Sequence, residues 1–152
     1  MKKHLETEIE INAPVEVVWN VLTDFHAHPI WNPFIKELRG KPVEGESLRV
    51  FIQPPGGKGM VFKPVVLKSD ENRELRWLGK LLFSGLFDGE HYFRIVPINE
   101  NRVRFIHGEI FSGLLVRFFA KSLDKGTLAG FQAMNGALKK RAEDLGASGS
   151  GS

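Results

Sequence analysis

The sequence predicts an α+β domain in which a curved antiparallel sheet of six or seven strands wraps a long C-terminal helix. Three observations carry that reading. Residues 122–145 place Leu123, Leu128, Phe131, Met134, Leu138, Ala142 and Leu145 near the helical period of about 3.6 residues, while Lys125, Gln132, Lys139, Lys140, Arg141 and Glu143 fall mostly on other faces. Seven strand-like segments precede this helix, and no other element is long enough to cover its apolar side. The chain has 152 residues, 42% hydrophobic and 26% charged, which fits one domain with a substantial core of its own.

In order, Leu5, Thr7, Ile9 and Ile11 alternate with Glu6, Glu8 and Glu10, the period of a strand with one wet face. Asn12 is placed to cap a helix opened by Pro14, in which Val15, Val18, Trp19 and Leu22 recur until about Asp24. A second short helical segment over residues 25–31 ends at the Asn32-Pro33 turn. Strands are expected at 35–39, 47–53, 60–68 and 74–81, separated by Gly, Pro, Asn and Asp clusters. The clearest pair is 90–97 with 102–111. In the terminal helix, Gly126, Gly130 and Gly136 each weaken an isolated helix by roughly 1 kcal/mol relative to Ala, so they imply close backbone approach or room left for something else.

Composition narrows the function classes. Twelve Phe and three Trp against one Tyr supply apolar wall area with few hydroxyls to satisfy. The net charge of +3 is scattered, without a basic block or a nucleic-acid motif, so no nucleic-acid partner is expected. The absence of cysteine leaves no disulfide framework and no thiolate site, which is compatible with a reducing cytoplasm. No apolar run approaches the roughly 20 residues of a membrane span, and Met1 to Glu6 lead straight into the first strand, so no signal peptide is expected. Residues 146–152 are a Gly/Ser-rich stretch expected to be an added flexible tail.

Strand parity then points to chemistry. In 102–111, Val103, Phe105, His107, Glu109 and Phe111 share one face, opposite Arg102, Arg104 and Ile106; in 90–97, His91, Phe93 and Ile95 share one, opposite Glu90, Tyr92 and Arg94. With the Phe-rich faces concave, His91, His107 and Glu109 enter an apolar wall, where polar groups are costly unless hydrogen-bonded. Such a cluster can satisfy itself, hydrogen-bond a ligand's hydroxyl or carbonyl, or move a proton. These three are the candidate catalytic residues. No close-spaced zinc motif accompanies them, and neither a metal nor another cofactor is expected.

Residues 11–19 (Ile-Asn-Ala-Pro-Val-Glu-Val-Val-Trp), Leu22-Thr23-Asp24, Trp31-Asn32-Pro33, 90–95 (Glu-His-Tyr-Phe-Arg-Ile) and 107–114 (His-Gly-Glu-Ile-Phe-Ser-Gly-Leu) together resemble the START/Bet v 1-like superfamily, the SRPBCC proteins, in its polyketide cyclase/dehydrase-like branch. The resemblance covers residues 3–145. It implies a helix-grip fold, with two short helices after the first strand and an apolar cavity between sheet and terminal helix. Trp31, Trp77, His91, Phe93, Phe105, His107, Glu109, Phe131 and Met134 are then the expected ligand-binding residues. A small hydrophobic ligand of lipid, polyketide or aromatic type is the expected partner. A cyclase or aromatase using the cavity His and Glu for proton transfer is the alternative, and an Hsp90-activator-like interaction domain a further one. A cytoplasmic monomer or homodimer without stable membrane insertion completes the expectation.

Three connections and two further histidines stay open at this level. Pro54-Pro55-Gly56-Gly57-Lys58-Gly59 lacks the Walker spacing and is either a hairpin turn or, by the resemblance, a loop at the cavity mouth. Leu82, Phe83, Leu86 and Phe87 fold over the core, gate the cavity, or form a membrane or dimer contact. Residues 113–121 read as an extra turn before the long helix or as a basic amphipathic lip. His26 and His28 are expected on the surface.

Overall fold

A computed structural model describes residues 2–150. These residues form β1 (Lys2–Ile11), α1 (Val15–Thr23), α2 (His28–Trp31), β2 (Ile35–Arg39), β3 (Arg49–Ile52), β4 (Met60–Phe62), β5 (Val65–Asp70), β6 (Glu74–Lys80), β7 (Asp88–Asn99), β8 (Arg102–Ser112), α3 (Val116–Ser122) and α4 (Leu128–Ser150). A single 3-10 turn, Phe25–Ala27, leads into α2, and a π-helical turn, Leu123–Thr127, joins α3 to α4.

The architecture is a helix-grip. A five-stranded antiparallel sheet, ordered β1-β8-β7-β6-β5, curves around α4, and a three-stranded sheet, β2-β3-β4, stands beside it. The expectation of one sheet with six or seven strands is corrected on this point. The run over 60–68 breaks at Pro64, which has no N–H to donate to a ladder, into β4 and β5 in different sheets. The Pro64 carbonyl instead accepts the Leu48 N–H at 2.8 Å, and one isolated bridge, Ser47 to Val65, stitches the sheets together.

Register explains the concave face. Direct opposition aligns Trp77, His91, Glu109 and Leu5 across β6-β7-β8-β1 in one row, and Leu75, Phe93, His107 and Thr7 in the next. A third row pairs Ile95, Phe105 and Ile9. The face read as convex does hold Arg94, Arg102, Arg104 and Tyr92, yet Tyr92 is fully buried there. The Arg76 and Arg94 guanidinium groups cover its ring at 4.6 and 4.7 Å, and its hydroxyl donates to Glu6. Gly108 leaves room for that hydroxyl, since a Cβ would lie 2.3 Å from it.

Helix α4 buries Phe131, Met134, Leu138 and Ala142 against the sheet, as its periodicity predicts, while Leu145 at the end of the stripe is exposed. Its first predicted turns are instead the π-helical turn and the end of α3. Residues 146–150 continue α4, so that part of the stretch read as a flexible tail is helical; 151–152 lie outside the described residues. Asn12 does not cap α1. Pro14 is the N-cap, its carbonyl accepting from Val17 and Val18, and the Asn12 backbone N–H donates to Glu143 of α4 at 2.8 Å.

The helix glycines serve different ends. A Cβ on Gly130 would lie 2.3 Å from the Phe34 ring, so the missing side chain lets that ring press onto the helix backbone. A Cβ on Gly136 would meet nothing within 4 Å. Gly130→Ala should therefore destabilise the fold by about 1–3 kcal/mol through overpacking, whereas Gly136→Ala should be neutral or stabilising by up to about 1 kcal/mol; urea denaturation of the two variants measures both.

Candidate functional site

The two rows on the concave sheet meet α4 at a chain of hydrogen bonds. Glu109 Oε1 lies 3.1 Å from His91 Nδ1, His91 Nε2 lies 2.7 Å from His107 Nε2, and His107 Nδ1 lies 3.0 Å from Asn135 Oδ1. Asn135 Nδ2 donates to Thr7 Oγ1 at 2.8 Å, and that hydroxyl donates to the His107 carbonyl at 3.0 Å. His91, His107 and Asn135 are all buried.

Donor and acceptor rules assign the protons from the far end inward. A carbonyl only accepts, so Thr7 donates to it and must receive from the Asn135 amide NH2. Asn135 therefore turns Oδ1 toward His107, and His107 Nδ1 carries a proton. Burial, with His91 adding to it, pushes the His107 imidazole well below its ordinary value, so the ring is neutral and its Nε2 accepts. His91 Nε2–H is the donor across the short contact. At the last link, His91 Nδ1 and Glu109 Oε1 hold one proton between them, on either the imidazole or the carboxyl.

That end of the chain opens onto a cavity of about 420 Å³ between the sheets, the π-helical turn and α3. Its wall is built from Phe34, Val50, Ile52, Trp77, Phe87, Phe111, Phe119 and Leu123, with His91 and Glu109 set into it. Gly89 makes space for the carboxylate, because a Cβ there would stand 2.3 Å from Glu109 Oε2. Pro54 to Lys58, the loop whose role the sequence left open, forms part of the rim.

The sequence-predicted site residues thus separate. Trp77, His91 and Glu109 line the cavity. Phe93, Phe105, His107, Phe131 and Met134 do not; they are packed solid behind it, with the His107 and Phe131 rings stacked at 4.1 Å and Phe93 4.7 Å from His107. Trp31 is not at this cavity either, and borders a separate hollow of about 270 Å³ between α1 and α4. Three participants were missed. Asn135 sits four residues after Phe131, so helical spacing alone puts it on the buried stripe; Thr7 shares a face with Leu5 and Ile9; Phe34 follows the Asn32-Pro33 turn with no periodic signal. Among the described residues no three His, Cys, Asp or Glu side chains are grouped to hold a metal ion.

The short helices show why one surface expectation fails. His26 is exposed, but His28 is buried, with Nε2 2.7 Å from the Leu22 carbonyl and Nδ1 3.0 Å from Asn32 Nδ2. Asn32 Oδ1 accepts from the Phe34 and Ile35 N–H groups at 2.9 Å, so this buried pair sets the path of the chain into β2.

Residues 2–143 match the family described as polyketide cyclase / dehydrase and lipid transport. The chain belongs to that family. Solved structures similar to this family member include a START superfamily protein from Mycobacterium smegmatis, at 25% identity and a TM-score of 0.71, covering 93% of this chain and 98% of that one. The Zhui aromatase/cyclase from Streptomyces sp. R1128 is similar at 15% identity and a TM-score of 0.72, over 96% and 99% of the two chains. A norcoclaurine synthase point mutant from Thalictrum flavum is similar at 16% identity and a TM-score of 0.73, over 95% and 96%. These likenesses at low identity establish the fold the family members share. No curated protein matches the chain in sequence.

Burial pushes His28 down from 6.5 to about 4, against the opposing pull of the Leu22 carbonyl and Asp24. The unfolded chain binds a proton at this position near pH 6.5 and the folded chain not until about pH 4. Stability is therefore fully present above pH 6.5 and falls as the pH drops toward 4, by roughly 3 kcal/mol for this residue alone; His107 acts in the same direction. Denaturant midpoints should hold between pH 7.5 and 6.5 and then fall toward pH 4.5, less steeply in His28→Gln.

Proposed function

We propose that this chain binds a small, mostly apolar molecule bearing a hydroxyl or carbonyl group, held in the cavity with its polar group against Glu109 and His91. One observation carries the reading: an apolar hollow of about 420 Å³ whose inner wall presents a single built-in polar pair. Lys58, Lys80 and Thr127 also border the hollow, but the lysines belong to the Pro54 loop and to the end of β6. A cavity of this size takes a molecule of fused-ring or short-lipid dimensions. The family's description and the fold shared with an aromatase/cyclase support a ligand of this class.

Burial of a ligand hydroxyl without a partner is costly, and a hydrogen bond to the Glu109–His91 pair contributes about 0.5–3 kcal/mol, the upper end applying to a charged partner. 2-Naphthol should therefore bind wild-type protein roughly tenfold more tightly than naphthalene, followed by the change in Trp77 emission, and Glu109→Ala should abolish the preference while still binding naphthalene. Equal affinities in the wild type would remove the pair from the reading, and no binding of either would remove the cavity.

A proton-transferring enzyme of cyclase or dehydrase type is the second reading. It is favoured by the proton that the Glu109–His91 contact holds at the cavity wall, backed by a neutral His107 that can only accept from His91. In that case the protein should accelerate deuterium uptake at the α-carbon of a bound ketone such as 2-tetralone in heavy water, and Glu109→Gln should remove the acceleration; exchange at the buffer rate leaves binding alone.

A further inference from the structure

The end of the molecule next to the cavity wall at Leu81, Phe87 and Phe119 exposes large apolar side chains that the proposed binding reading leaves unused. Leu82 is 86% exposed, Phe83 60%, Leu114 74% and Phe118 67%. They come from two connections that are bonded into one unit. Leu114 N–H donates to the Gly85 carbonyl at 3.1 Å, Leu115 N–H to Leu86 at 3.0 Å, and Gly113 takes a positive φ of 119° where a Cβ would clash with the Leu86 carbonyl at 2.6 Å. Below them Phe87 packs on Phe119 and Phe111, at 5.6 and 5.7 Å, and all three rings belong to the cavity wall.

The tip is held outward. Leu82 adopts a left-handed φ of 65°, a region that non-glycine residues rarely occupy. A connection that only had to close over the core would fold this side chain inward; here it is the most exposed large apolar residue described.

Charge defines the partner. The segments that carry the tip, residues 80–88 and 113–125, contain Lys80, Arg117, Lys121 and Lys125. The paired ends of β1 and β8 add Lys2 and Lys3 opposite Ser112 and Phe111. Against these six cations stand two carboxylates: Asp88 accepts from the Gly85 N–H at 3.0 Å, and Asp124 pairs with Lys3, one of the six, at 2.7 Å, so the surplus is carried by the other five. Arg117 lies over the Phe118 ring at 4.9 Å, its charge beside the apolar surface.

We propose that this tip is a peripheral docking surface for an anionic phospholipid membrane, with Leu82, Phe83, Leu114 and Phe118 entering the headgroup boundary and the cations meeting lipid phosphates. Protruding apolar side chains with basic residues beside them fit a deformable anionic interface, whereas a folded protein partner needs a matched concavity. Attachment is peripheral, since no helix among the described residues is long and apolar enough to cross a membrane.

Vesicle co-sedimentation tests this without reference to any cavity ligand. The intact chain should partition onto vesicles of phosphatidylcholine mixed with phosphatidylglycerol and far less onto phosphatidylcholine alone, and the binding should weaken with added salt. The exposed-site variants Leu82→Ser with Phe83→Ser, and Phe118→Ser, should each lose roughly tenfold in partitioning, and Arg117→Gln with Lys121→Gln should lose at least as much on anionic vesicles only. Unchanged melting temperatures would show that all of them fold. Failure of the intact chain to bind anionic vesicles, partitioning indifferent to these substitutions, or self-association lost in the Ser variants without any vesicle binding would each overturn the proposal. Naphthalene and naphthol binding should stay intact in the same variants, which separates this surface from the cavity.

Discussion

Two buried imidazole rings on adjacent strands of an apolar wall bring four nitrogens that need partners, and satisfying them organises the interior. His91 and His107 meet at 2.7 Å and can do so only with one proton between them. That requirement places Asn135 on the buried stripe of α4, positions Thr7 on the edge strand β1, and calls for a carboxylate in the row beside. Strand, helix and sheet edge are thereby locked to one another through polar bonds of fixed direction. Apolar packing alone has no such direction.

Much of this was legible in the sequence because parity and periodicity are strong constraints. Alternation in β7 and β8 put His91, His107 and Glu109 on the same face as Phe93 and Phe105, and the register aligns them in neighbouring rows. The stripe of Phe131, Met134 and Leu138 placed α4 against that face. What the pattern could not supply was depth. Periodicity tells which way a side chain points but not whether the space before it is filled, so Phe93, Phe105, His107 and Met134 pointed inward as read and turned out to be solid core. Hydrogen bonds between distant residues are equally invisible: Asn135 and Thr7 are separated by most of the chain, and His28 looked like a surface histidine until Asn32 and the Leu22 carbonyl enclosed it.

The break at Pro64 shapes the space beside this core. A continuous strand over 60–68 would have carried one sheet around the helix without interruption. Loss of a single backbone donor instead turns β2-β3-β4 into a separate leaf joined by one bridge, and the hollow lies where the two leaves part. The cavity is in this sense a product of the backbone as much as of side-chain size.

Phe34 stands on the border between the filled and the empty half. One side of its ring faces the hollow, the other packs on Phe131 at 5.7 Å and is received into the dent that Gly130 leaves in α4. It acts as a bulkhead. A single residue with no counterpart in the strand pattern thus separates the hollow from the packed core, and the depth of the chamber on this side is set by an aromatic plate rather than by the length of the sheet.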